Sequence, residues 1–405
     1  MAPLSPLAVA VVGLGGISQS VHLPLLARRW DLFRIAALVD LSAQRTQQLA
    51  ARYGVDPDAR FAGVDDLLTA RAAGTVRVDA VVLATTGSHA PEVGLLTAAG
   101  LPVLAEKPLA LGLAELDALE RHATAAGRDL TAQLMVGYMK EHDPATARAR
   151  EELAGTRLRA VTVEVLHPAD GAQLGFARLL APPTDVDPAV LGALTERTHA
   201  TVHAVVGEGA PADLRTLYTN VLLGSVVHDV ALLRHLVGGV DRVDTVTQWG
   251  DTLPGSVEVT GTVAGGARLH IGWHFLRDYP DYRETVTFHH ETGSVQLRFA
   301  VPYLLNAPTE LTVVGRAATA GADGGAPGEV RSVHRWKQSE AFEDELVAFH
   351  RLATRGERAP SSLAEGRADV EVAQRMLAVL AAGRGVALGG EAGRAGVGLP
   401  AAVRA

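Results

Sequence analysis

The stretch AVAVVGLGGIS at residues 8–18 decides the fold, because an apolar strand runs there directly into a glycine-rich turn and a helix start. Glycines at the spacing of Gly13 and Gly15 allow a tight turn and a close approach of backbone N–H groups to a pyrophosphate. Ser18 stands where the third glycine of this fingerprint usually lies, and it is small enough for close packing. The stretch therefore predicts a dinucleotide-binding turn formed by Gly13, Gly15, Gly16 and Ile17.

A carboxylate at the end of the second apolar run supports this interpretation. Asp40 follows Gly15 by 25 residues, close to the spacing at which an acidic residue binds the ribose 2′-hydroxyl. A carboxylate there would repel a 2′-phosphate, and the first arginine that follows is Arg45. The pattern favours NAD over NADP as cofactor. Asp40 could equally cap the helix that begins near Ser42, and the two roles are compatible.

The first 130 residues alternate short apolar runs with helical segments, as βαβ units do. Such runs are typical of parallel strands that are buried on both faces. The predicted strands are Leu7–Val12, Ile35–Val39, Ala80–Ala84 and Val103–Ala105. The predicted helices are Ser42–Tyr53, Val64–Ala72, Glu92–Ala99 and Leu113–Ala125. We expect a doubly wound parallel sheet in residues 1–133, with ligands at the carboxyl ends of its strands.

From residue 157 onward, apolar and polar residues alternate with period two, which is typical of half-buried antiparallel strands. The clearest runs are Leu158–Leu166, Arg268–Phe275, Arg283–His289 and Ser294–Phe299. Helical patterns cover Ser225–Val237, Phe342–Leu352 and Ala368–Ala381.

Three further parts complete the expected α/β organisation. An α+β domain with a large, mostly antiparallel open sheet occupies 134–340, and a proline-rich insertion at 168–217, helical near 190–206, interrupts it. Helices in 341–385 pack back on the first domain. The Gly- and Ala-rich end from 383, with the tail proper at 386–405, is expected to be poorly ordered.

Composition excludes several classes of function. The chain has 405 residues, a net charge of −8 and no cysteine, which rules out disulfides, thiolate catalysis and cysteine-ligated zinc. The acidic balance argues against nucleic-acid partners, and no apolar run reaches the roughly 20 residues of a membrane span. With no basic segment before its first apolar run, the chain is expected to be cytoplasmic. Glu196, His199 and His203 share one helical face. We interpret this face as solvent-exposed and predict no metal site there.

Polar residues follow the third and fourth predicted strands, at the sheet edge where ligands bind. Thr85, Thr86 and His89 follow one strand, and Glu106 and Lys107 end the next. Only three of the 37 basic residues are lysines, at positions 107, 140 and 337. A lysine retained in so arginine-rich a chain suggests chemistry that arginine cannot supply, such as a shifted pKa. The alternative is a surface ion pair at a strand end.

Together these motifs resemble the Gfo/Idh/MocA oxidoreductase family. The resemblance rests on residues 13–18, Asp40, the turn at 85–89, the EKP motif at 106–108, GYMKEHDP at 137–144 and VHDVALLR at 227–234. It covers about residues 1–160 and 220–385. It implies a Rossmann domain, a second domain with an open sheet, and assembly as a homodimer or homotetramer through that sheet.

The resemblance also implies site residues. Lys107 matches the family's catalytic lysine and His228 its catalytic histidine, and both would handle the proton while hydride leaves a secondary alcohol. His228 lies near the start of its predicted helix, where the helix dipole would keep the imidazole neutral. Glu106 would join Lys107 on the nicotinamide side. The candidates to bind substrate are Tyr138, Lys140, His142, His167 and Tyr218, and each could equally be structural.

One departure from the family pattern keeps alternatives open. Gly224 occupies the position, one turn before His228, where the family often carries an aspartate. Asp229 lies about 100° around the helix and is not an obvious substitute. The expected function is NAD-dependent hydride transfer to or from a sugar, cyclitol or sugar derivative. A non-catalytic NAD-binding sensor, and a lyase or epimerase that oxidises its substrate transiently, are the alternatives.

Overall fold

Six parallel strands form the first sheet of the computed structural model, which describes residues 6–169, 171, 174–250, 252–317 and 328–396. The strands are β1 (Leu7–Val12), β2 (Phe33–Val39), β3 (Arg60–Phe61), β4 (Ala80–Leu83), β5 (Val103–Glu106) and β6 (Leu134–Gly137). Their order is β3-β2-β1-β4-β5-β6. The order reverses between β1 and β4, so a ligand crevice opens beyond the carboxyl ends of those two strands.

Helices connect these strands and cover the sheet. They are α1 (Leu23–Arg28), α2 (Ala43–Tyr53), α3 (Val64–Ala72), α4 (Ala90–Ala98) and α5 (Leu113–Ala125). A π-helical turn, Ser18–His22, leads into α1. Every residue of β1, β4 and β5 is buried, as expected of parallel strands with both faces covered. The predicted fold class of the first domain is confirmed.

Eight strands form the second sheet. They are β7 (Leu158–His167), β8 (Val240–Trp249), β9 (Ser256–Val263), β10 (Arg268–Phe275), β11 (Arg283–His290), β12 (Gly293–Phe299), β13 (Glu310–Arg316) and β14 (Glu329–Arg335). Their order is β14-β13-β12-β11-β7-β10-β9-β8, and only β7 and β10 run parallel. The large, mostly antiparallel sheet expected from the sequence is therefore confirmed. Helix α6 (Pro144–Leu153) packs against β12 and β13.

Two boundaries differ from those expected. Strand β6, which we had placed in the second domain, completes the first sheet, so that domain extends past residue 133 to Gly137. The chain end is also more ordered than its composition suggested, because a short helix forms at 390–395. The remainder of the tail, from 397, and most of the loop at 317–328 lie outside the described residues.

A continuous helical stretch crosses the second domain from Ala212 to Val237. It comprises α8 (Ala212–Thr216), a π-helix (Leu217–Val226) and α9 (Val227–Val237). By length and composition alone these 26 residues could cross a membrane, but 67% of the most apolar window is buried inside the protein. A core helix passes the same test, so the stretch is weak support for a membrane span.

The insertion at 168–217 lies against the first domain. Its helix α7 (Pro188–Val206) buries Val202, Val205 and Val206. The segment before α7 is anchored where the Leu180 amide donates a hydrogen bond of 2.9 Å to the Gln19 side chain. The insertion therefore passes over the face that carries the glycine-rich turn.

The C-terminal helices join the two domains. They are α10 (Ala341–Arg355), α11 (Leu363–Gly383) and α12 (Gly390–Ala395). Helix α11 packs on α5 and β6 of the first domain and on β8 and α9 of the second. The Val136 amide in β6 donates to the Ser361 carbonyl just before α11, at 3.0 Å. The last part of the chain thus covers the β6 side of the first sheet.

Glu391 in α12 fixes the end of the chain to α5. Its buried carboxylate accepts hydrogen bonds from the amides of Leu113 (2.7 Å) and Ala114 (2.9 Å) and from the side chain of Gln374 (2.6 Å). A carboxylate at a helix N-terminus satisfies amides that have no partner within the helix and interacts favourably with its dipole.

We expect Glu391→Ala to lower the free energy of unfolding by about 2 kcal/mol, because it removes this cap and a hydrogen bond of the buried Gln374 amide. Urea unfolding followed by circular dichroism measures the change. Glu371→Ala, on the exposed face of α11, is the control and should change stability by less than about 0.5 kcal/mol. Equal stability of both variants would contradict the role given to Glu391.

Candidate active site

The glycine-rich turn passes directly against the end of β4. Gly13 has φ +83°, and a Cβ there would lie 2.6 Å from the Ala84 carbonyl oxygen, so no other residue fits. A Cβ on Gly15 would meet no atom within 4 Å, which leaves the backbone of this turn open to the crevice. The Ser18 hydroxyl donates to the Gly13 carbonyl at 2.5 Å. The sequence thus makes a tight turn whose outer side a bulky group can approach.

Asp40 joins this turn to helix α2. One carboxylate oxygen accepts from the Leu14 amide at 2.9 Å, and the other accepts from the Ser42 amide at 2.9 Å. Ser42 itself is the N-cap of α2 and accepts from the Arg45 amide. A carboxylate offers about four acceptor sites, so both oxygens retain capacity for a ribose hydroxyl.

A cleft of about 760 Å³ lies between the two domains at the carboxyl ends of β1, β4 and β5. Most of the residues selected from the sequence line it. Those from the first domain are Gly15, Gly16, Ile17, Thr85, Thr86, His89, Glu106 and Lys107. Those from the second are Lys140, His167 and His228.

Lys107 reaches across the cleft to the second domain. Its Nζ donates a hydrogen bond of 2.7 Å to the Gly224 carbonyl. Burial lowers the pKa of Lys107, the charge of Glu106 raises it, and that of Lys140 lowers it further, so the net shift is downward. Lys107 is therefore a compact proton donor that gives up its proton more readily than an exposed lysine.

His228 lies one turn after Gly224 and also faces the cleft. Burial, with the nearby charges of Lys107 and Lys140, lowers the pKa of His228 well below its ordinary value. Its Nδ1 is buried and has no hydrogen-bond partner among the described residues. The Tyr138 ring packs edge-on against the imidazole, with ring centroids 6.3 Å apart. The arrangement holds a neutral imidazole, which can accept a proton.

The lowered pKa of His228 agrees with the expected neutral imidazole, but the helix dipole, which was expected to cause it, is not the cause. Helix α9 begins at Val227, but it continues the preceding π-helix without a break. His228 is therefore inside a long helical stretch and not at a free, positively polarised N-terminus. Burial and the charges of Lys107 and Lys140 lower the pKa of His228 instead.

Glu106 is held by a buried histidine. Its Oε1 lies 2.8 Å from His22 Nε2, and both side chains are nearly or fully buried. Burial opposes ionisation of Glu106, but the hydrogen bond and charge of His22, together with Lys107, keep the pKa of Glu106 below its ordinary value. Glu106 is thus an anionic neighbour of Lys107.

A buried cluster that the sequence did not reveal surrounds Lys140. Its Nζ lies 3.2 Å from Asp229 Oδ1 and contacts the Glu284 carboxylate, while the Tyr282 hydroxyl donates to Glu284 at 2.7 Å. Burial raises the pKa of Asp229 well above its ordinary value, whereas Lys140 and Tyr282 hold that of Glu284 down. Of the two carboxylates beside Lys140, Asp229 is therefore the harder to ionise.

A signal for Glu284 does exist in the sequence. Glu284, Val286 and Phe288 share one face of β11, and all three are buried. A glutamate on the buried face of an alternating strand requires a hydrogen-bond or charge partner in the interior. Asp229, which we had set aside because of its position around the helix, is the second carboxylate at Lys140.

Aromatic rings form the wall of the cleft on the second sheet. The rings of Trp273 and Phe275 lie nearly parallel, at 6° with centroids 6.3 Å apart, and His167 packs 5.1 Å from Trp273. The Trp273 indole donates to the Ser225 hydroxyl at 2.9 Å. This wall presents flat apolar faces next to the charged groups around Lys140.

Three residues selected as substrate-binding candidates do not line the cleft. Tyr218 is buried in the core, where its hydroxyl donates to the Leu111 carbonyl at 2.6 Å. Tyr138 lies behind His228 with Arg234 5.7 Å above its ring. His142 is the last residue of the turn Met139–His142, and its buried Nε2 has no partner among the described residues.

His89 lines the cleft, but its ring nitrogens face backbone carbonyls. Nδ1 lies 2.8 Å from the Pro108 oxygen and Nε2 lies 3.0 Å from the Thr85 oxygen. The ring thereby links the ends of β4 and β5. We infer that it positions the segments that carry Thr85 and Lys107.

The residues at this edge fit a dinucleotide. The open turn at Gly15 and Gly16 suits a pyrophosphate, and Asp40 suits a ribose hydroxyl. Thr85 Oγ1 and Ser88 Oγ are buried without a partner in the described part of the chain, so they remain able to bond a ligand. No group of three His, Asp or Glu side chains in that part is arranged to hold a metal ion.

Comparisons with known proteins agree with this geometry. Residues 7–138 match the model of an oxidoreductase family, described as its NAD-binding Rossmann fold, which confirms the resemblance to Gfo/Idh/MocA proteins. Inositol 2-dehydrogenase from Rhodococcus erythropolis is 33% identical over 143 residues, which cover 34% of this chain and 37% of the relative. Inositol 2-dehydrogenase 1 from Saccharopolyspora erythraea is 35% identical over 163 residues, 39% of this chain and 45% of the relative. The chain thus spans less than half the length of these curated relatives.

A solved structure matches over nearly the whole chain. UDP-N-acetylglucosamine 3-dehydrogenase from Acidithiobacillus ferrooxidans superposes with a TM-score of 0.65 at 18% identity, covering 93% of this chain and 98% of that one. At this identity the likeness shows the fold alone. It extends to the second domain, which the family model does not reach.

The pKa of His142, which burial lowers to about 4, makes stability depend on pH. The unfolded chain binds a proton at this residue below about pH 6.5 and the folded chain does not, so the contribution is complete above that pH and lost toward pH 4. We expect the stability lost between pH 7.5 and 5.0 to be about 2 kcal/mol smaller in His142→Gln than in wild type. Urea unfolding at both pH values measures this. His122→Gln, an exposed position on α5, is the control, and an unchanged pH dependence in His142→Gln would contradict the assignment.

Proposed function

We propose that this chain is an NAD(H)-dependent dehydrogenase or reductase of the Gfo/Idh/MocA oxidoreductase family. It transfers hydride between nicotinamide and a secondary alcohol or ketone of a sugar, cyclitol or sugar derivative. The observation that carries the proposal is the meeting of Lys107 and His228 in the cleft that contains the glycine-rich turn. The pKa of Lys107 is lowered from its ordinary value toward neutral pH, and the lowered pKa of His228 keeps its imidazole neutral.

The first domain would hold the cofactor. Gly15 and Ile17 would bind the pyrophosphate through their backbone, Asp40 the adenosine ribose, and Thr85 and Glu106 the nicotinamide side. Bound nicotinamide would supply the hydride acceptor or donor.

Lys107 and His228 would handle the proton of the substrate hydroxyl. A hydroxyl that loses hydride must also lose its proton, and the ammonium of Lys107 would stabilise the negative charge that develops on its oxygen. The neutral imidazole of His228 would accept the proton, and burial keeps it in that form. Gly224 would hold the lysine in place through its carbonyl, at the position where the family often has an aspartate.

The wall of the cleft supports a polyhydroxylated substrate. Lys140 offers hydrogen-bond donors and the carboxyl groups of Asp229 and Glu284 offer oxygens, while the flat faces of Trp273 and Phe275 suit the apolar C–H face of a ring. A few fixed polar groups on an apolar wall are typical of small-molecule sites. Inositol dehydrogenation by the curated relatives is consistent with such a ligand.

The proposal also covers assembly and location. We propose a cytoplasmic homodimer or homotetramer formed through the second sheet, with no nucleic-acid or membrane partner. Strand β14 at one edge of this sheet exposes Val330 and Val333, and such apolar side chains on an edge strand favour pairing with another copy. Light scattering on the purified protein tests this part, and a monomer at micromolar concentration would contradict it.

A non-catalytic NAD-binding sensor is the second candidate function, and Gly224 favours it because the aspartate often found there in the family is absent. Incubating the protein with NAD or NADH and a panel of cyclitols, sugars and keto-sugars distinguishes the two. A change in absorbance at the reduced-nicotinamide band, with a matching product, supports the dehydrogenase. Tight cofactor binding with no conversion of any panel member, checked by product analysis, would support the sensor.

Lys107→Ala should reduce turnover by about 1,000-fold while NADH affinity changes little, because the group lost acts on the substrate oxygen. Lys107→Arg should restore little, since the guanidinium neither fits the compact contact with Gly224 nor gives up its proton. Steady-state kinetics and NADH titration measure both properties. Lys337→Ala, an exposed lysine, is the control and should behave as wild type. Full activity in Lys107→Arg would refute the need for lysine's proton chemistry.

A further inference from the structure

The N-terminus of helix α2 is occupied by a carboxylate from the distant insertion. Asp185 accepts a hydrogen bond of 2.6 Å from the Ser42 hydroxyl and one of 2.8 Å from the Gln44 amide. Asp185 precedes α7, on the segment that crosses the first domain. Its partners begin the helix that follows Asp40 directly, so the two carboxylates flank one helix end.

Helix α2 does not need Asp185 for its own capping. Ser42 already caps it by accepting the Arg45 amide at 3.0 Å, and the Asp185 side chain is exposed to solvent. An exposed contact of this kind contributes little to stability. The position is nevertheless well defined, because Leu180 earlier in the segment bonds to Gln19, and Leu179 lies 3.6 Å from the Cβ that Gly16 would carry.

The groups that Asp185 occupies are those that bind phosphate in proteins. A hydroxyl, a free amide at a helix N-terminus and a nearby arginine form an anion site. Ser42, Gln44 and Arg45 supply these three, and Arg45 Nε is buried without a hydrogen-bond partner among the described residues. An arginine near this helix start accommodates the 2′-phosphate of NADP in related dinucleotide sites. Without Asp185, the end of α2 would thus be equipped to receive a phosphate.

We propose that Asp185 is a specificity-determining residue that excludes NADP. Its carboxylate takes the donors that a 2′-phosphate would use and repels that phosphate, while Asp40 binds the ribose hydroxyl of NAD. The Ser42 hydrogen bond also holds the pKa of Asp185 below its ordinary value, so it stays ionised at neutral pH. This inference rests on the proposed binding of the dinucleotide at the turn of residues 13–18.

Binding measurements on the full chain test the inference without turnover. NADH and NADPH are titrated into wild type, Asp185→Ala and Asp185→Asn, and their nicotinamide fluorescence gives the dissociation constants. We expect wild type to bind NADH at least 10-fold more tightly than NADPH. Asp185→Ala should then gain about 10-fold or more in NADPH affinity, with NADH affinity within about threefold of wild type, and Asp185→Asn should gain less because its amide still occupies the site.

Asp187→Asn is the matched control. Asp187 lies on the same segment but caps α7 by accepting the Ala189 amide at 2.8 Å, away from α2. NADPH affinity should not change in this variant. An equal gain in both variants would mean that loosening the insertion is the cause and would overturn the inference.

Two other outcomes separate this inference from the proposed function. If wild type binds NADH and Asp185→Ala gains no NADPH affinity, or if wild type binds both cofactors equally, Asp185 has no selective role and the dehydrogenase proposal stands. If wild type binds neither cofactor, both proposals fail together.

Discussion

The hydrogen bond from Lys107 Nζ to the Gly224 carbonyl joins the two domains at the point where their chemistry must meet. Its acceptor is neutral, which distinguishes it from the carboxylate that often stands at this position in the family. A carboxylate would favour the charged ammonium and raise the lysine's pKa, whereas a carbonyl orients the amine without that effect. Burial is the main cause of the lowered pKa of Lys107, and the neutral carbonyl does not oppose it. Glycine at this position therefore leaves a lysine whose proton is easier to release.

The charged side chains that line the cleft come from two domains. Lys107 and Glu106 lie on the first domain, and Lys140 with Asp229 and Glu284 lies on the second. Each lysine contributes to the low pKa of His228 between them, so the imidazole stays neutral without any contact to a helix end. Desolvation by both domains thus lowers the pKa values of Lys107 and His228, and any separation of the domains would relax these two shifts.

Local sequence pattern predicted those parts of the fold in which burial is regular. Strands β1 and β10 begin and end where the pattern placed them, because the residues of one are all buried and those of the other alternate. Strand β14 was missed because six of its seven residues are exposed, which leaves no alternation to detect. Strand β8 was missed because two register shifts interrupt its period. The path of the insertion depends on single contacts such as that between Leu180 and Gln19, which no periodicity encodes.

Some residues of the candidate site could be predicted from the sequence, and others could not. Residues at strand ends, such as Glu106 and Lys107, could be found because all carboxyl ends of a parallel sheet meet at one edge. The cluster around Lys140 could not, since its carboxylates come from a helix and a strand that only the tertiary fold brings together. Tyr218 was selected as a substrate-binding candidate, but its hydroxyl donates to a backbone carbonyl in the core.

The packing of α11 across both domains has a consequence for the order in which the chain can fold. The β6 side of the first sheet is completed by the Ser361 carbonyl and by close contact between Gly366 and Leu109, so the domain made first is finished by a segment that follows the second sheet in the chain. During synthesis on the ribosome, that flank of the first domain therefore stays uncovered until the whole second sheet has been translated. A chain that stopped before residue 361 would leave this flank uncovered.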